Sequence, residues 1–201
     1  MQKIDTYWKY SRLFWSFVVV FFLTIGCADL HAESSEPMVL KGSFSLLDEN
    51  GDRKTLADYR GSYPLIFFGY TYCPDVCPTN LGIMSEALEM LPAAIVAKLQ
   101  PLFISVDPER DSLEHLKDFT EVFHPALVGL TGTLEEVAAA ARTFGVYYAK
   151  AEEDPEDPEV YMVDHSANTF LLDEQGRLLA IFDHATPPKQ VVKGILQHLQ
   201  R

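Results

Sequence analysis

The run Pro64-Leu65-Ile66-Phe67-Phe68-Gly69-Tyr70 has no polar face and is bounded by turn-forming residues. A strand with that pattern has to be covered on both sides, so it belongs inside a sheet with helices packed against each face. The rest of the chain supplies those partners. Leu102-Phe103-Ile104-Ser105-Val106 is a second buried strand, and Leu127 to Leu130 a short third one. Helical spacing separates them: Leu81, Met84, Leu88 and Leu91 follow the first, while Leu113, Leu116, Phe119 and Phe123 follow the second, behind a capping Ser112. After the third strand, Thr133 begins an alanine-rich helix that ends near Phe144-Gly145, and Val146 to Ala149 is strand-like. Thr169 to Leu172, the turn Asp173-Glu174-Gln175-Gly176 and Arg177 to Phe182 form a closing hairpin, after which Pro188 opens a last helix. Near the start, Phe44 to Leu47 alternates and runs into Asp48-Glu49-Asn50-Gly51, a strong hairpin signal.

Strands alternating with helices define an α/β domain with parallel crossovers. The element order matches a thioredoxin-like fold with an extra N-terminal β-hairpin, held within residues 42–201. A chain of 201 residues leaves little room for a second domain. Lys3, Lys9 and Arg12 precede an apolar run from Leu13 to Ala28, the pattern of an export signal or membrane anchor over residues 1–32. Residues 33–41, polar and containing Pro37, are a linker. Leu23-Thr24-Ile25-Gly26-Cys27 resembles a lipobox, and a signal-peptidase cut at Ala32 is the other processed ending. Cleaved, lipidated or anchored, the domain lies outside the cytoplasm. A formal charge of −13 argues against nucleic-acid binding, because a polyanion would be repelled.

With Cys27 assigned to the leader, two cysteines remain in the domain, Cys73 and Cys77. In an oxidising compartment so close a pair is a disulfide or a metal site. A purely structural bridge is the weaker reading, since closing so short a loop removes little unfolded-state entropy. Both residues sit where the first buried strand hands over to its helix. Unsatisfied N–H groups there favour thiolate over thiol, so the expectation is two anionic sulfurs near neutral pH, with Pro78 fixing the first helical turn. Soft anionic sulfur suits Cu(I) and also disulfide exchange.

Ordered blocks of sequence now resemble a known family. Gly69-Tyr70-Thr71-Tyr72-Cys73-Pro74-Asp75-Val76-Cys77-Pro78-Thr79, Phe103-Ile104-Ser105-Val106-Asp107-Pro108-Glu109-Arg110-Asp111, Gly129-Leu130-Thr131-Gly132 and Val163-Asp164-His165-Ser166 occur in the order found in the Sco/SenC family. These are copper-binding, thioredoxin-fold proteins that help to mature the copper centre of cytochrome c oxidase. The resemblance implies that Cys73, Cys77 and His165 ligate one copper, Cu(I) or Cu(II). It makes Cys73 and Cys77 the redox pair of a companion thiol–disulfide reductase acting on the oxidase's own cysteines. It implies the oxidase's copper-binding subunit as partner, alongside other periplasmic copper chaperones or thioredoxin-like reductases. The implied location is the periplasmic side of the bacterial inner membrane, with membrane contact through the N-terminus.

The remaining candidates carry weaker signals. Of the six histidines, His31 falls in the leader, and His115, His124, His184 and His198 read as ordinary surface or hydrogen-bonded residues. His165 differs because the loop before Thr169 faces the cysteine loop in this fold. Asn168 stands where thioredoxins place a cis-proline, which leaves space for an imidazole. Asp107 is expected beside the site, with helix capping by Asp107 and Asp111 as the competing role. Asp164 is a candidate to orient the imidazole from behind the metal. The run Glu152-Glu153-Asp154-Pro155-Glu156-Asp157-Pro158-Glu159 is a solvated loop or a docking site for a basic partner. A peroxidase of the peroxiredoxin type would use Thr71 with Arg110 or Arg142, but would leave the second cysteine and His165 unexplained.

Overall fold

The computed structural model describes residues 43–151, 157 and 160–200. The leader, the linker, and the acidic run apart from Asp157 lie outside the described residues. Among the described residues no helix is long and apolar enough to cross a membrane.

The N-terminal hairpin forms as expected, with β1 (Ser45–Asp48) antiparallel to β2 (Arg53–Thr55). Its turn is held by the buried Asp48 carboxylate, which accepts the N–H groups of Asn50 and Asp52 at 2.9 Å each. A 3-10 turn at Leu56–Tyr59 leads into β3 (Tyr63–Gly69), the apolar run. Then come α1 (Val76–Met90), a single helical turn α2 (Ala93–Val96), β4 (Leu99–Ser105), α3 (Leu113–Phe123), β5 (Val128–Thr131) and α4 (Leu134–Phe144). The chain closes with β6 (Tyr148–Lys150), β7 (Val163–His165), β8 (Thr169–Leu172), β9 (Leu178–Phe182) and α5 (Pro188–Leu199).

The main sheet has the order β2-β1-β5-β4-β3-β8-β9. Its middle is parallel, β3 on β4 and β4 on β5, while the two hairpins add antiparallel strands on either side. Leu65, Ile66, Phe67 and Phe68 of β3 are fully buried. Each such side chain contributes roughly 1.5–3 kcal/mol through burial. Alternation along the strand divides them between two layers. Phe67 meets Phe103 at 6.3 Å, and Phe103 meets Phe119 of α3 at 5.4 Å. On the other face Phe68 meets Phe144 of α4 at 5.3 Å. This is the thioredoxin-like α/β architecture.

Local chemistry sets the helix limits. Ser112 caps α3 by accepting the N–H of His115 at 3.2 Å. Thr133 and Glu136 form a reciprocal capping box at α4, and Gly145 ends that helix at φ +66°, a left-handed conformation that glycine adopts without steric cost. Helix α1 starts at Val76, which puts Pro78 third, inside the first helical turn. The proline is accommodated because none of the first N–H groups of a helix has an intrahelical partner.

Candidate metal centre

Cys73 lies in the turn between β3 and α1, where its N–H donates to the Tyr70 carbonyl at 3.3 Å. Cys77 is the second residue of α1, fully buried, and its N–H points at Cys73 Sγ at 3.3 Å. The helix start thus supplies a donor to one sulfur and carries the other. Gly69 makes this approach feasible: a Cβ there would lie 2.6 Å from Cys77 Sγ and 3.0 Å from the rings of Phe67 and Phe103.

Thr71 fixes the turn from beneath. The buried Asp111 carboxylate accepts the Thr71 hydroxyl at 2.6 Å and its N–H at 3.2 Å, and also accepts the Ser105 hydroxyl at 2.6 Å. Burial raises the Asp111 pKa, against the lowering effect of these hydrogen bonds. Neither Asp107 nor Asp111 caps α3, a role taken by Ser112.

His165 ends β7, a strand too short to be read from the sequence. Its place is set by antiparallel pairing with β6, in which His165 faces Tyr148. Ser166 and Tyr147 lock the corner through Ser166 N–H to Tyr147 O at 2.8 Å and Tyr147 N–H to Ser166 Oγ at 3.0 Å. The ring is 6.1 Å from Phe67 and 5.8 Å from Tyr70, edge-on to both. Nδ1 lies 3.0 Å from the Ser166 carbonyl, and Nε2 lies 3.3 Å from Cys77 Sγ. A carbonyl can only accept, so we place the proton on Nδ1 and the free lone pair on Nε2, facing the sulfurs. The expected orienting residue, Asp164, does not fill that role: Ser166 does it with its backbone. Asp164 alternates to the outer face of β7 and lines the cleft above the site.

The side-chain donor atoms of Cys73, Cys77 and His165 lie within 4.8 Å of one another, and the cysteines are not bonded to each other. Among the described residues this is the group whose ligand atoms converge. His115 instead stacks on Tyr72 at 5.1 Å, and His184 Nδ1 lies 3.2 Å from Asn80. The electrostatics correct one expectation. The Cys77 thiol donating to Cys73 is the largest influence on Cys73, followed by burial, which opposes it, and by His165; the result holds Cys73 far below the usual thiol range. The same interaction, reinforced by burial, pushes Cys77 up. The pair therefore holds one thiolate and one thiol, not two thiolates. Two soft sulfurs and a neutral imidazole, with the imidazole oriented from behind, are a donor set suited to copper.

Asp107 is buried and touches none of the three donors. It accepts from Arg110 Nε at 2.6 Å and from the Tyr161 hydroxyl at 2.7 Å. The Arg110 guanidinium lies over the rings of Tyr161, Tyr72 and Tyr70 at 3.5, 4.9 and 5.7 Å. Asp107 thus braces the cysteine turn against the segment leading to His165. Asn80, missed in the sequence, ties the other side. From α1 it donates to the Ala167 carbonyl at 3.0 Å and accepts the Ala185 N–H at 3.2 Å. Asn168 donates to Asp183 at 3.0 Å, and the described residues include no cis peptide.

A thioredoxin-like domain with two cysteines at a helix start and an imidazole facing them has the donor set of a dithiol metal site. The SCO1/SenC family model matches residues 32–200, and the chain belongs to that family. It is 41% identical over 160 residues to the mitochondrial SCO2 homolog of Mus musculus, covering 79% of this chain and 62% of that protein. It is 40% identical over 152 residues to an SCO2-like protein of Rickettsia felis, covering 76% of this chain and 73% of the relative. The chain thus spans less than two thirds of the length of its mammalian relative. The copper-bound ScoI of Bradyrhizobium japonicum superposes with a TM-score of 0.70 at 38% identity, over 78% of this chain and 98% of that one.

Proposed function

We propose that this protein is an extracytoplasmic copper metallochaperone that binds one copper through Cys73, Cys77 and His165 and delivers it to the copper-binding subunit of cytochrome c oxidase. The observation that carries the proposal is the convergence of those three donors within 4.8 Å. Copper bound in a family member of 38% identity supports the choice of metal. The family's role in oxidase assembly supports the choice of recipient, and the positive, then apolar, N-terminal segment supports export with attachment to the membrane.

A companion reading uses the same pair as a thiol–disulfide reductase that prepares the recipient's cysteines. The thiolate held at Cys73 favours it, because thiolate is the attacking species. The peroxidase reading gains no such support: the Thr71 hydroxyl is given to Asp111, and Arg110 is held by Asp107.

The test is a copper titration of the reduced, full-length protein. A sulfur-to-Cu(II) charge-transfer band should saturate at one equivalent. His165→Ala should weaken copper binding at least tenfold (~1.4 kcal/mol) while the dithiol still reduces a disulfide. Unchanged copper affinity in His165→Ala would refute the three-ligand centre.

A further inference from the structure

We propose that Met162 is the outer ligand through which Cu(I) enters and leaves the Cys73–Cys77–His165 site, a role that rests on the copper reading of that site. The sulfurs themselves are poorly placed for exchange: Cys77 is 0% exposed and Cys73 9% exposed. An acceptor's ligand cannot reach Cys77 from solution, so the ion has to pass through a donor nearer the surface. A cleft of about 210 Å³ leads outward from Cys73 and His165, and Met162 forms part of its wall.

Met162 is 47% exposed, on the outer side of a segment whose alternation turns Val163 and His165 inward. Its thioether is held in place. The Tyr70 hydroxyl donates to Met162 Sδ at 3.8 Å. The Tyr70 ring also packs edge-on against His165 at 5.8 Å. One buried tyrosine therefore touches both the inner imidazole and the rim thioether.

The chemistry fits a relay. A thioether is soft, neutral and unable to take up a proton, so it binds Cu(I) weakly without competing with acid, and it is at best a long, weak ligand for Cu(II). A weak outer donor lets the ion leave, where a thiolate would trap it. The step is a ligand exchange: one Cu–S bond forms at Met162 as the bond to His165 breaks. Copper remains Cu(I) and no proton moves.

The test follows transfer of Cu(I) from the loaded, full-length protein to bicinchoninate by stopped flow, in the parent and in Met162→Leu, which preserves side-chain volume. The variant should release Cu(I) about tenfold more slowly, the kinetic equivalent of ~1.4 kcal/mol in the barrier. Loading with aqueous Cu(II), followed by its charge-transfer band, should keep the parent's rate. In Cu(I)-loaded protein carrying ¹³C-methyl methionine, the Met162 methyl resonance should broaden when bicinchoninate is added. An unchanged Cu(I) rate would overturn the inference. Equal slowing of Cu(II) loading would also overturn it, since leucine would then merely be obstructing the cleft. Failure of the parent to bind copper at all would overturn the metal reading itself, and this inference with it.

Discussion

Replacing Asn80 separates the scaffold of the site from its ligands. Asn80 lies three residues beyond Cys77 on α1 and is 5% exposed. Its amide donates to Ala167 O at 3.0 Å, two residues past His165, and accepts from Ala185 N–H at 3.2 Å. Ala185 is itself in the left-handed region at φ +57°, so the amide also steadies a turn unfavourable to alanine. In Asn80→Ala the exposed Ala185 N–H regains water, and the main loss falls on the half-buried Ala167 carbonyl. That loss is about 1–2 kcal/mol. In a domain of this size it lowers Tm by about 2–8 °C. The segment carrying His165 also loses its tie to the helix carrying Cys77, and loss of such an orienting contact lowers metal affinity by about 10–100-fold. Asn80→Asp keeps the acceptor for Ala185 but sets a negative charge against the Ala167 carbonyl, so its copper defect should be at least as large. Thermal denaturation of the copper-free protein and competitive copper titration measure the two effects separately. A lower Tm with unchanged copper affinity in both variants would refute the reasoning, reducing Asn80 to a packing residue.

Two further perturbations address the turn and its brace. Gly69→Ala puts a methyl carbon 2.6 Å from Cys77 Sγ, so the sulfur has to move; the cost is about 1–3 kcal/mol, with a shifted charge-transfer band, and an unaltered spectrum would contradict the close approach. Asp107→Ala removes the carboxylate held by Arg110 and Tyr161 in a nearly closed environment. It should cost about 3 kcal/mol in urea unfolding of the copper-free protein, and a loss below ~1 kcal/mol would show that the pair behaves like a surface salt bridge.

The parts of the molecule legible in the sequence are those with a local signal. Strand β3 announces itself because both faces are apolar, and the limits of α3 and α4 because Ser112, Thr133 and Gly145 act on their own neighbours. Cys73 and Cys77 are legible because their placement at a strand-to-helix junction is chemically loaded. Strand β7 has no such mark. It is three residues long, and its partner β6 lies across the acidic run, so only pairing at a distance makes it a strand. The same cause hides from the sequence the group that orients His165. Asp164 is adjacent and carries a carboxylate, but alternation turns it outward, and the acceptor is the Ser166 carbonyl, a group every residue possesses. Asn80 carries no local signal for a related reason: an asparagine one helical turn past a cysteine acquires meaning only when the loops at Ala167 and Ala185 are brought against it.

The charge of the copper-free pair has a measurable consequence. Because Cys73 is held low and Cys77 is pushed high, the site carries one negative charge and one thiol proton over a window that includes neutral pH. Cu(I) bound to both sulfurs displaces that proton, and one positive charge replaces another, so the buried site carries the same net charge before and after loading. Divalent copper would change that charge by one unit. The sign follows directly: within the window each Cu(I) bound releases one proton, so affinity should rise about tenfold per pH unit. Competition against a Cu(I) chelator of known protonation, at three pH values between about 7.5 and 9, where an ordinary imidazole is already neutral, gives the slope. Two independent thiols would release two protons and give about a hundredfold per unit. A slope near two would therefore show that Cys73 is not a thiolate in the copper-free protein, and a slope near zero would show that Cys77 holds no proton for the metal to displace.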